Sequence, residues 1–436
     1  MSIEALTLLF FGALLLGIFM GIPLVFVLGG VSVIFLYFTW GIESFYMVAS
    51  QIYGTMGSFT LVAIPLFVFM AMILERTGVA RDLYRMMHLW CGSMRGGLAV
   101  GTLGICAVFA AMVGISGAAV VAMGTIALPS MLERGYDKRM VLGVINTGGG
   151  WGVLIPPSIM MILYALISGV SVGKMFAAGI LPGLVLITVT VLYVLIRCYI
   201  QPHLAPSLPE SERGSWPEKF RAVRSVLLPV MVVFMVMGSI IGGLTTPTEA
   251  AAMGVLGALI SAAVYRQLNF NLIREASIRT FKLTGMIVWI LFAAHAFSSA
   301  YQSMGAHQLI ESFMHMIPGG PWGIIIAMMV IVFLLGMVLD PVGIMLITLP
   351  VFLPIVDALG FDPIWFGILF VINMEIGYMT PPFGFNLFYL KGIVPPGITM
   401  KDIYMSVIPF VLVQILGLIV LMVFPEIVTF LPDLWF

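Results

Sequence analysis

Two segments, one in each half of the chain, place clusters of glycine and proline inside long apolar stretches. Residues 145–158 read INTGGGWGVLIPPS, and residues 372–386 read INMEIGYMTPPFGFN. Both contain a Pro-Pro pair, which interrupts a helix because proline lacks an N–H group and disfavours helix in the residue before it. Hydrocarbon cannot satisfy free backbone groups, so such a break survives at membrane depth only beside protein or a watery cavity. Paired breaks at corresponding positions indicate the binding site of a transporter.

Composition places nearly the whole chain in a membrane. Of 436 residues, 61% are hydrophobic and only 9% are charged, too few for the surface of a soluble protein. Apolar runs able to cross roughly 30 Å of hydrocarbon recur throughout. The first run lacks a basic flank, which predicts a membrane helix and not a signal peptide. The formal net charge of zero predicts no nucleic-acid partner. Three scattered cysteines predict neither a disulfide framework nor a thiolate metal site.

The chain divides into two similar halves. A linker rich in proline and charge covers residues 199–224 and separates a first repeat, 1–198, from a second, 225–436. Asn146 and Asn373 are 227 positions apart, as are Pro182 and Pro409.

Basic residues predict that the halves have opposite orientations. Loop 133–139 has three basic residues and its counterpart 355–363 has none, whereas 41–57 has none and its counterpart around 266–282 has four. Basic residues stay on the cytoplasmic side, so this reversal predicts an inverted repeat with a cytoplasmic linker.

Each half is predicted to contain one re-entrant hairpin and one broken helix. Both ends of 96–132 are basic, so this hairpin enters from the cytoplasm, whereas 321–354 lacks basic ends and enters from outside. Two full passes remain the alternative for each hairpin. The broken helices cover about 140–167 and 364–390. The fold class is therefore an all-α polytopic membrane protein with five crossings per half. The ten predicted crossings are 5–21, 23–40, 58–75, 140–167, 176–198, 225–244, 247–265, 283–302, 364–390 and 404–425.

Polar residues beside these breaks and tips are the candidate ion and substrate ligands. Unwound carbonyls and neutral side-chain oxygens suit Na⁺, and helix N-termini attract anions. We expect Na⁺ near Ser116, Asn146, Asp340 and Thr380. The alternative is that small polar residues only bond helix to helix. The full candidate set is Ser116, Gly117, Asn146, Thr147, Gly149, Pro156, Pro157, Ser158, Asp340, Asn373, Gly377, Thr380, Pro381, Pro382, Gly384 and Asn386.

Three acidic residues lie within predicted spans, where burying a charge costs at least about 2.5 kcal/mol. Asp340, at a hairpin tip, is the strongest candidate for cation contact. Glu249 follows a proline and is either functional or a helix cap. Glu375 is either a proton carrier or a hydrogen-bond acceptor from a neighbouring helix, and the second is favoured. His295 is interpreted as a packed polar residue.

Several activities lack their sequence signatures. The chain has no Walker P-loop for driving transport with ATP, no HExxH zinc motif and no convincing nucleophile–base pair. We therefore predict a protein that is not an enzyme, with no cofactor other than Na⁺ as coupling ion.

Five segments together resemble the DctM-type large membrane subunit of tripartite ATP-independent periplasmic (TRAP) transporters. They are AIPLF at 63–67, GISG at 114–117, IPPS at 155–158, TPTEA at 246–250 and TPPFGFN at 380–386. The resemblance implies Na⁺-coupled import of an organic acid anion across the bacterial inner membrane. It also implies a small four-helix membrane subunit and a periplasmic substrate-binding protein as partners. The implied fold has a scaffold and a transport domain that moves like an elevator.

The chain departs from the family pattern at the first hairpin tip. Ala118 and Ala119 stand where the family often carries a second serine, which puts the number of bound ions in doubt. The small subunit is not fused to this chain, so a separate partner is expected. A stand-alone Na⁺ or H⁺/anion symporter of the related divalent-anion type is the alternative function. The sequence does not identify the organic acid.

Overall fold

The computed structural model describes residues 3–207, 209, 214–305 and 317–436, and in these ranges the regular structure is entirely helical. Seven helices are long and apolar enough to cross a membrane, or eight if the bent helix at 216–241 forms one span. The helices, in chain order, are α1 Ile3–Phe19, α2 Leu24–Trp40, α3 Ser44–Met56, α4 Phe59–Arg76, α5 Val79–Cys91, α6 Gly97–Val113, α7 Ser116–Glu133, α8 Lys138–Gly150, α9 Ile159–Ser168, α10 Val172–Ile200, α11 Trp216–Ile241, α12 Pro247–Val264, α13 Phe270–Ser303, α14 Gly320–Gly336, α15 Pro341–Ala358, α16 Pro363–Tyr378, α17 Phe385–Lys391, α18 Met400–Val423 and α19 Glu426–Trp435.

Helices of the first half pair with helices of the second. α4 packs along α12, and α2 packs along α13. By the offset of about 227 positions between the halves, α2 corresponds to α12 and α4 corresponds to the later part of α13, so equivalent helices exchange partners. The predicted inverted repeat would produce this pairing. The orientation of the repeats relative to a bilayer, and the domain limits, stay predictions.

Helices α6 and α7 fold back on each other as an antiparallel pair. The backbone N–H of Leu98, at the start of α6, lies 3.3 Å from the hydroxyl oxygen of Tyr136, just beyond α7. The linker closes this end: Gly96 N–H donates to the Ala205 carbonyl at 3.0 Å, and Asp137 N–H donates to the Leu204 carbonyl at 2.8 Å. Both ends of the pair are therefore held at one place.

Helices α14 and α15 form the corresponding pair in the second half. The Trp322 ring, near the start of α14, lies 5.4 Å from the Phe361 ring just beyond α15, measured between centroids. The two helices contact each other, and α14 packs more extensively against α16. We refer to α6–α7 as the first hairpin and to α14–α15 as the second.

Two segments outside the ten predicted crossings are helices. Residues 41–57 contain α3, and residues 76–95 contain α5. The predicted crossings rest on continuous apolar runs, whereas α5 is amphipathic: Val79, Ala80 and Leu83 are buried while Arg81 is exposed. A helix that buries one face against neighbours needs only a stripe of apolar residues.

The linker is shorter than predicted, because helices occupy both of its ends. α10 continues to Ile200 and α11 begins at Trp216, within the predicted linker of 199–224. At its start, α11 has a capping box in which Ser215 and Glu218 satisfy each other's backbone N–H groups.

Candidate functional site

The first chain break lies between α8 and α9. α8 ends at Gly150, a short 3₁₀ turn covers Trp151–Val153, and α9 begins at Ile159. The Pro156–Pro157 peptide is cis. Ser158 Oγ donates to the Val153 carbonyl. The hydroxyl hydrogen of Ser158, a predicted ligand, is therefore used in a hydrogen bond within the break.

The second break lies between α16 and α17 and has the same plan. α16 ends at Tyr378, the Pro381–Pro382 peptide is cis, and α17 begins at Phe385. Thr380 Oγ1 donates to the Ile376 carbonyl at 2.7 Å. A Cβ atom at Gly384 would lie 2.4 Å from the Tyr378 carbonyl oxygen, so the chain can turn this tightly only with glycine there.

Both breaks begin later in the chain than the sequence analysis expected. Asn146, Thr147 and Gly149 lie in the last turns of α8, and Asn373 and Gly377 lie in the last turns of α16. Glycine in a helix costs up to about 1 kcal/mol relative to alanine. Here that cost is offset because the glycines allow close packing of the hairpins. The unwound part is therefore limited to 151–158 and 379–384.

The tip of the first hairpin touches both breaks. A Cβ atom at Gly152 would lie 2.8 Å from the Ile115 carbonyl oxygen, so tip and first break are in backbone contact. Ser116 Oγ donates to Asn386 Oδ1 at 2.7 Å, and a Cβ atom at Gly117 would lie 2.6 Å from the Tyr389 ring. The structure thus brings together candidate residues 270 positions apart.

The second hairpin meets the second break through two glycines. A Cβ atom at Gly336 would lie 2.9 Å from the Gly377 Cα, so α14 and α16 cross at backbone distance. Asn373 Nδ2 donates to the Met329 carbonyl of α14. Asp340 caps α15 by accepting the Gly343 N–H at 3.1 Å, which occupies one oxygen of the strongest acidic candidate. The tip also packs on α2, because a Cβ atom at Gly343 would meet Leu24.

Buried polar atoms without a hydrogen-bond partner concentrate at the two breaks. A buried polar atom without a partner costs about 1–3 kcal/mol, so such a cluster points to a ligand. Around the breaks, the unpartnered atoms of described residues are Asn146 Oδ1 and Nδ2, Thr147 Oγ1, Trp151 Nε1, both carboxyl oxygens of Glu375, the Tyr378 hydroxyl and Asn386 Nδ2.

Glu375 lies at the contact between the two broken helices. Its side chain is fully buried, and a Cβ atom at Gly150 would lie 2.8 Å from its Oε1 atom. The expectation that a neighbouring helix donates to this carboxyl is wrong for the described residues, because both oxygens lack a partner. The C-terminal end of α8 carries the negative end of the helix dipole, which favours cations here.

Three other charged or titratable side chains have partners outside this cluster: Glu249, Lys391 at the end of α17, and His295. Glu249 is exposed and caps α12: its carboxylate accepts the Thr246 N–H at 2.7 Å, which confirms the capping alternative. Lys391 Nζ donates to the Ile398 carbonyl at 2.7 Å. His295 lies 2.7 Å from Thr55 Oγ1, measured from Nε2.

The two breaks and the two hairpin tips bring C-terminal and N-terminal ends of helices together. The C-termini of α6, α8, α14 and α16 supply free carbonyls, which suit a hard cation. The N-termini of α7, α9 and α15 supply free N–H groups, which suit an anion. Trp151 and Tyr378 were not among the predicted site residues, although Trp151 directly follows α8 and Tyr378 is the last residue of α16.

Comparisons with known proteins agree with this architecture. Residues 11–427 match the family model for the tripartite ATP-independent periplasmic transporter, DctM component. A C4-dicarboxylate TRAP transporter large permease protein of Pseudomonas aeruginosa is 34% identical over 90% of each chain. The ectoine TRAP transporter large permease protein TeaC of Halomonas elongata is 35% identical over 98% of this chain and 97% of its own.

A solved structure has a similar fold. The YdaH transporter of Alcanivorax borkumensis superposes with a TM-score of 0.61 over 89% of this chain and 90% of its own, at 14% identity. The family model covers nearly the whole chain, and the relatives are transporter permeases of the bacterial inner membrane. This chain is therefore a multi-pass protein of the bacterial inner membrane and belongs to the DctM family of TRAP transporter large permeases.

Proposed function

We propose that this chain imports a small organic acid anion together with Na⁺, as the large membrane subunit of a TRAP transporter. The observation that carries the proposal is the cluster of unpartnered buried polar atoms at the two breaks. Oxygens of Asn146 and Thr147, with the free carbonyls at the end of α8, form the kind of neutral oxygen set that Na⁺ prefers.

The ions are proposed at the tip–break junctions. In the first half, Ser116 and Asn146 border the junction, and in the second half Asp340 and Thr380 do so. Ser116 at the start of α7 is hydrogen-bonded to Asn386 at the start of α17, and the anion is proposed to bind beside this contact. No cationic side chain is assigned to the anion, because Lys391 is bonded to a backbone carbonyl. The helix N-termini and the bound Na⁺ would supply the positive potential.

The substrate class and the partners come from the family. The relatives carry names for C4-dicarboxylate and ectoine transport, and both compounds contain carboxylate groups. A soluble periplasmic protein would deliver the anion, and a small membrane subunit would support the scaffold. The transport domain of hairpins and broken helices would then move past α2, α4, α12 and α13.

Uptake by proteoliposomes tests this proposal. A binding screen on the cognate periplasmic protein first identifies the substrate, and the complete transporter is then reconstituted. We expect uptake only with an inward Na⁺ gradient. Uptake that follows a proton gradient and ignores Na⁺ would contradict the coupling. Equal uptake without the binding protein would favour the stand-alone symporter.

A further inference from the structure

A polar cavity lies away from the breaks, between α3 and α13 on one side and α9 and α15 on the other. Its volume is about 560 Å³, enough for a small organic molecule. Six polar side chains on α3, on α13 and in the turn after α3 line the cavity: Gln51, Thr55, Ser58, His295, Ser298 and Gln302. The opposite wall is apolar and consists of residues 346–354 of the second hairpin and the end of α9.

The charge of the neighbouring turns predicts that the cavity lies on the non-cytoplasmic side of the breaks. It contacts Leu166 and Ile167 near the end of α9, seven or eight residues beyond its start at Ile159. At 1.5 Å per residue it is roughly 11 Å past the break along that helix. Turns 41–43, 169–171 and 359–362, beyond the surrounding helix ends, contain no Lys or Arg, which places them outside the cytoplasm.

Thr55 holds the imidazole ring of His295 at the cavity wall. Thr55 Oγ1 lies 3.0 Å from the Gln51 carbonyl oxygen and 2.7 Å from His295 Nε2. In the neutral tautomer with its proton on Nε2, that N–H donates to Thr55 while the Thr55 hydroxyl donates to Gln51, and Nδ1 takes no part in this contact. Uptake of one more proton makes the imidazole a cation with a second N–H donor.

Donors other than histidine also face the cavity. Ser299 Oγ lies 2.9 Å from Gln51 Oε1 and 2.9 Å from the His295 carbonyl oxygen. When its hydrogen goes to Gln51 Oε1, the amide N–H groups of Gln51 remain as donors. None of the described residues that line the cavity carries a fixed charge: α3 offers Gln51 and Thr55, and α9 and α15 offer apolar side chains. His295 is the titratable group among them.

We propose that this cavity is a receiving site for a small organic anion on its way from the periplasm to the breaks, with protonated His295 and the Gln51 amide as its ligands. The proposal rests on the proposed anion transport. A site without fixed charge binds weakly, and passage requires binding that is weak enough to release the ligand.

Thiol labelling of Ser298→Cys in the reconstituted full chain tests the site without knowledge of the substrate. The probes are anionic sulfonatoethyl methanethiosulfonate and cationic trimethylammonioethyl methanethiosulfonate, added from outside. Changing thiol ionisation affects both reagents alike, so their rate ratio reports the local charge. From about pH 8 to about pH 5 we expect the anion-to-cation ratio to rise about fivefold, because His295 gains a charge.

His295→Gln is the matched control, since its amide N–H can still donate to Thr55 while the charge is lost. The pH-dependent rise should disappear in Ser298→Cys/His295→Gln, and Ser58→Cys should report the same pattern. The unsubstituted chain gives the background from its own cysteines. An unchanged ratio with and without His295, or no labelling at either position, would overturn the proposal. These labelling results do not depend on Na⁺ coupling, so they leave the proposed Na⁺-coupled import untouched; the uptake experiment tests that separately.

Discussion

Glu375 poses the sharpest question at the scale of single residues. A fully buried carboxyl without a hydrogen-bond partner either carries a coupling proton or contributes only shape and polarity. Our account assigns the coupling to Na⁺ and to neutral oxygens, so the ionisable proton of Glu375 should not be needed.

Glu375→Gln should therefore retain Na⁺-driven uptake, within about threefold of the unsubstituted chain. The amide keeps the shape of the carboxyl beside Gly150, but it cannot take up and release a coupling proton. Initial uptake rates in proteoliposomes give the measurement, and thermal unfolding checks that the variant is folded. Loss of uptake in a stable Gln variant would return the proton carrier to consideration.

Ser116 and Asn386 show what sequence can and cannot predict about single residues. Both were candidates, because polar groups beside a helix break are natural ligands. Their direct hydrogen bond was not predicted, since nothing in a local pattern specifies a contact across 270 positions.

At the scale of elements, close approach of glycines to neighbouring backbone holds the hairpins on the broken helices. Glycine and proline patterns predicted where helices are interrupted, although both breaks proved shorter than expected. The surplus glycines of α8 and α16 are explained by packing partners that a sequence pattern does not contain. The amphipathic helices α3 and α5 were missed for a similar reason, because their stability depends on neighbours.

Gly149→Ala should destabilise the junction of the first hairpin with α8. The added Cβ atom would lie 2.4 Å from Val120 Cγ2 and 2.8 Å from the Val120 backbone N, so the hairpin must shift. Overpacking of this kind costs about 1–3 kcal/mol, which should lower the unfolding temperature and the uptake rate.

Gly12→Ala is the matched control for that experiment. Gly12 lies within α1, and nothing lies within 4 Å of a Cβ atom added there. Alanine favours helix, so this variant should be neutral or slightly stabilised. Equal unfolding temperatures for the two variants would refute close packing at Gly149.

At the scale of the whole molecule, the central expectation is that the halves have opposite orientations. The exchange of partners among α2, α4, α12 and α13 agrees with a two-fold relation, and the charge bias of the loops predicts which side each faces. The charge bias predicts sidedness because basic loops resist translocation, whereas no sequence pattern predicted the packing of α2 on α13 and of α4 on α12.

Single cysteines at equivalent loops should be labelled from opposite sides of the membrane. Arg139→Cys lies at the start of α8 and Ala358→Cys at the end of α15, and both native side chains are exposed. We expect an impermeant thiol reagent to reach Ala358→Cys from outside and Arg139→Cys only from the cytoplasmic side. Labelling of both from one side would contradict the inverted repeat.

The most direct test of the account is whether the chain binds Na⁺ at the breaks. Thermal unfolding of the purified protein is measured as Na⁺ replaces K⁺ at constant ionic strength. A ligand that binds only the folded state raises stability by about 2.7 kcal/mol at 100 times its Kd. We predict a saturable rise in Tm with Na⁺ that is reduced in Asn146→Ala and retained in Asn269→Ala, whose asparagine only caps α13. Identical unfolding temperatures in Na⁺ and K⁺ would contradict the account.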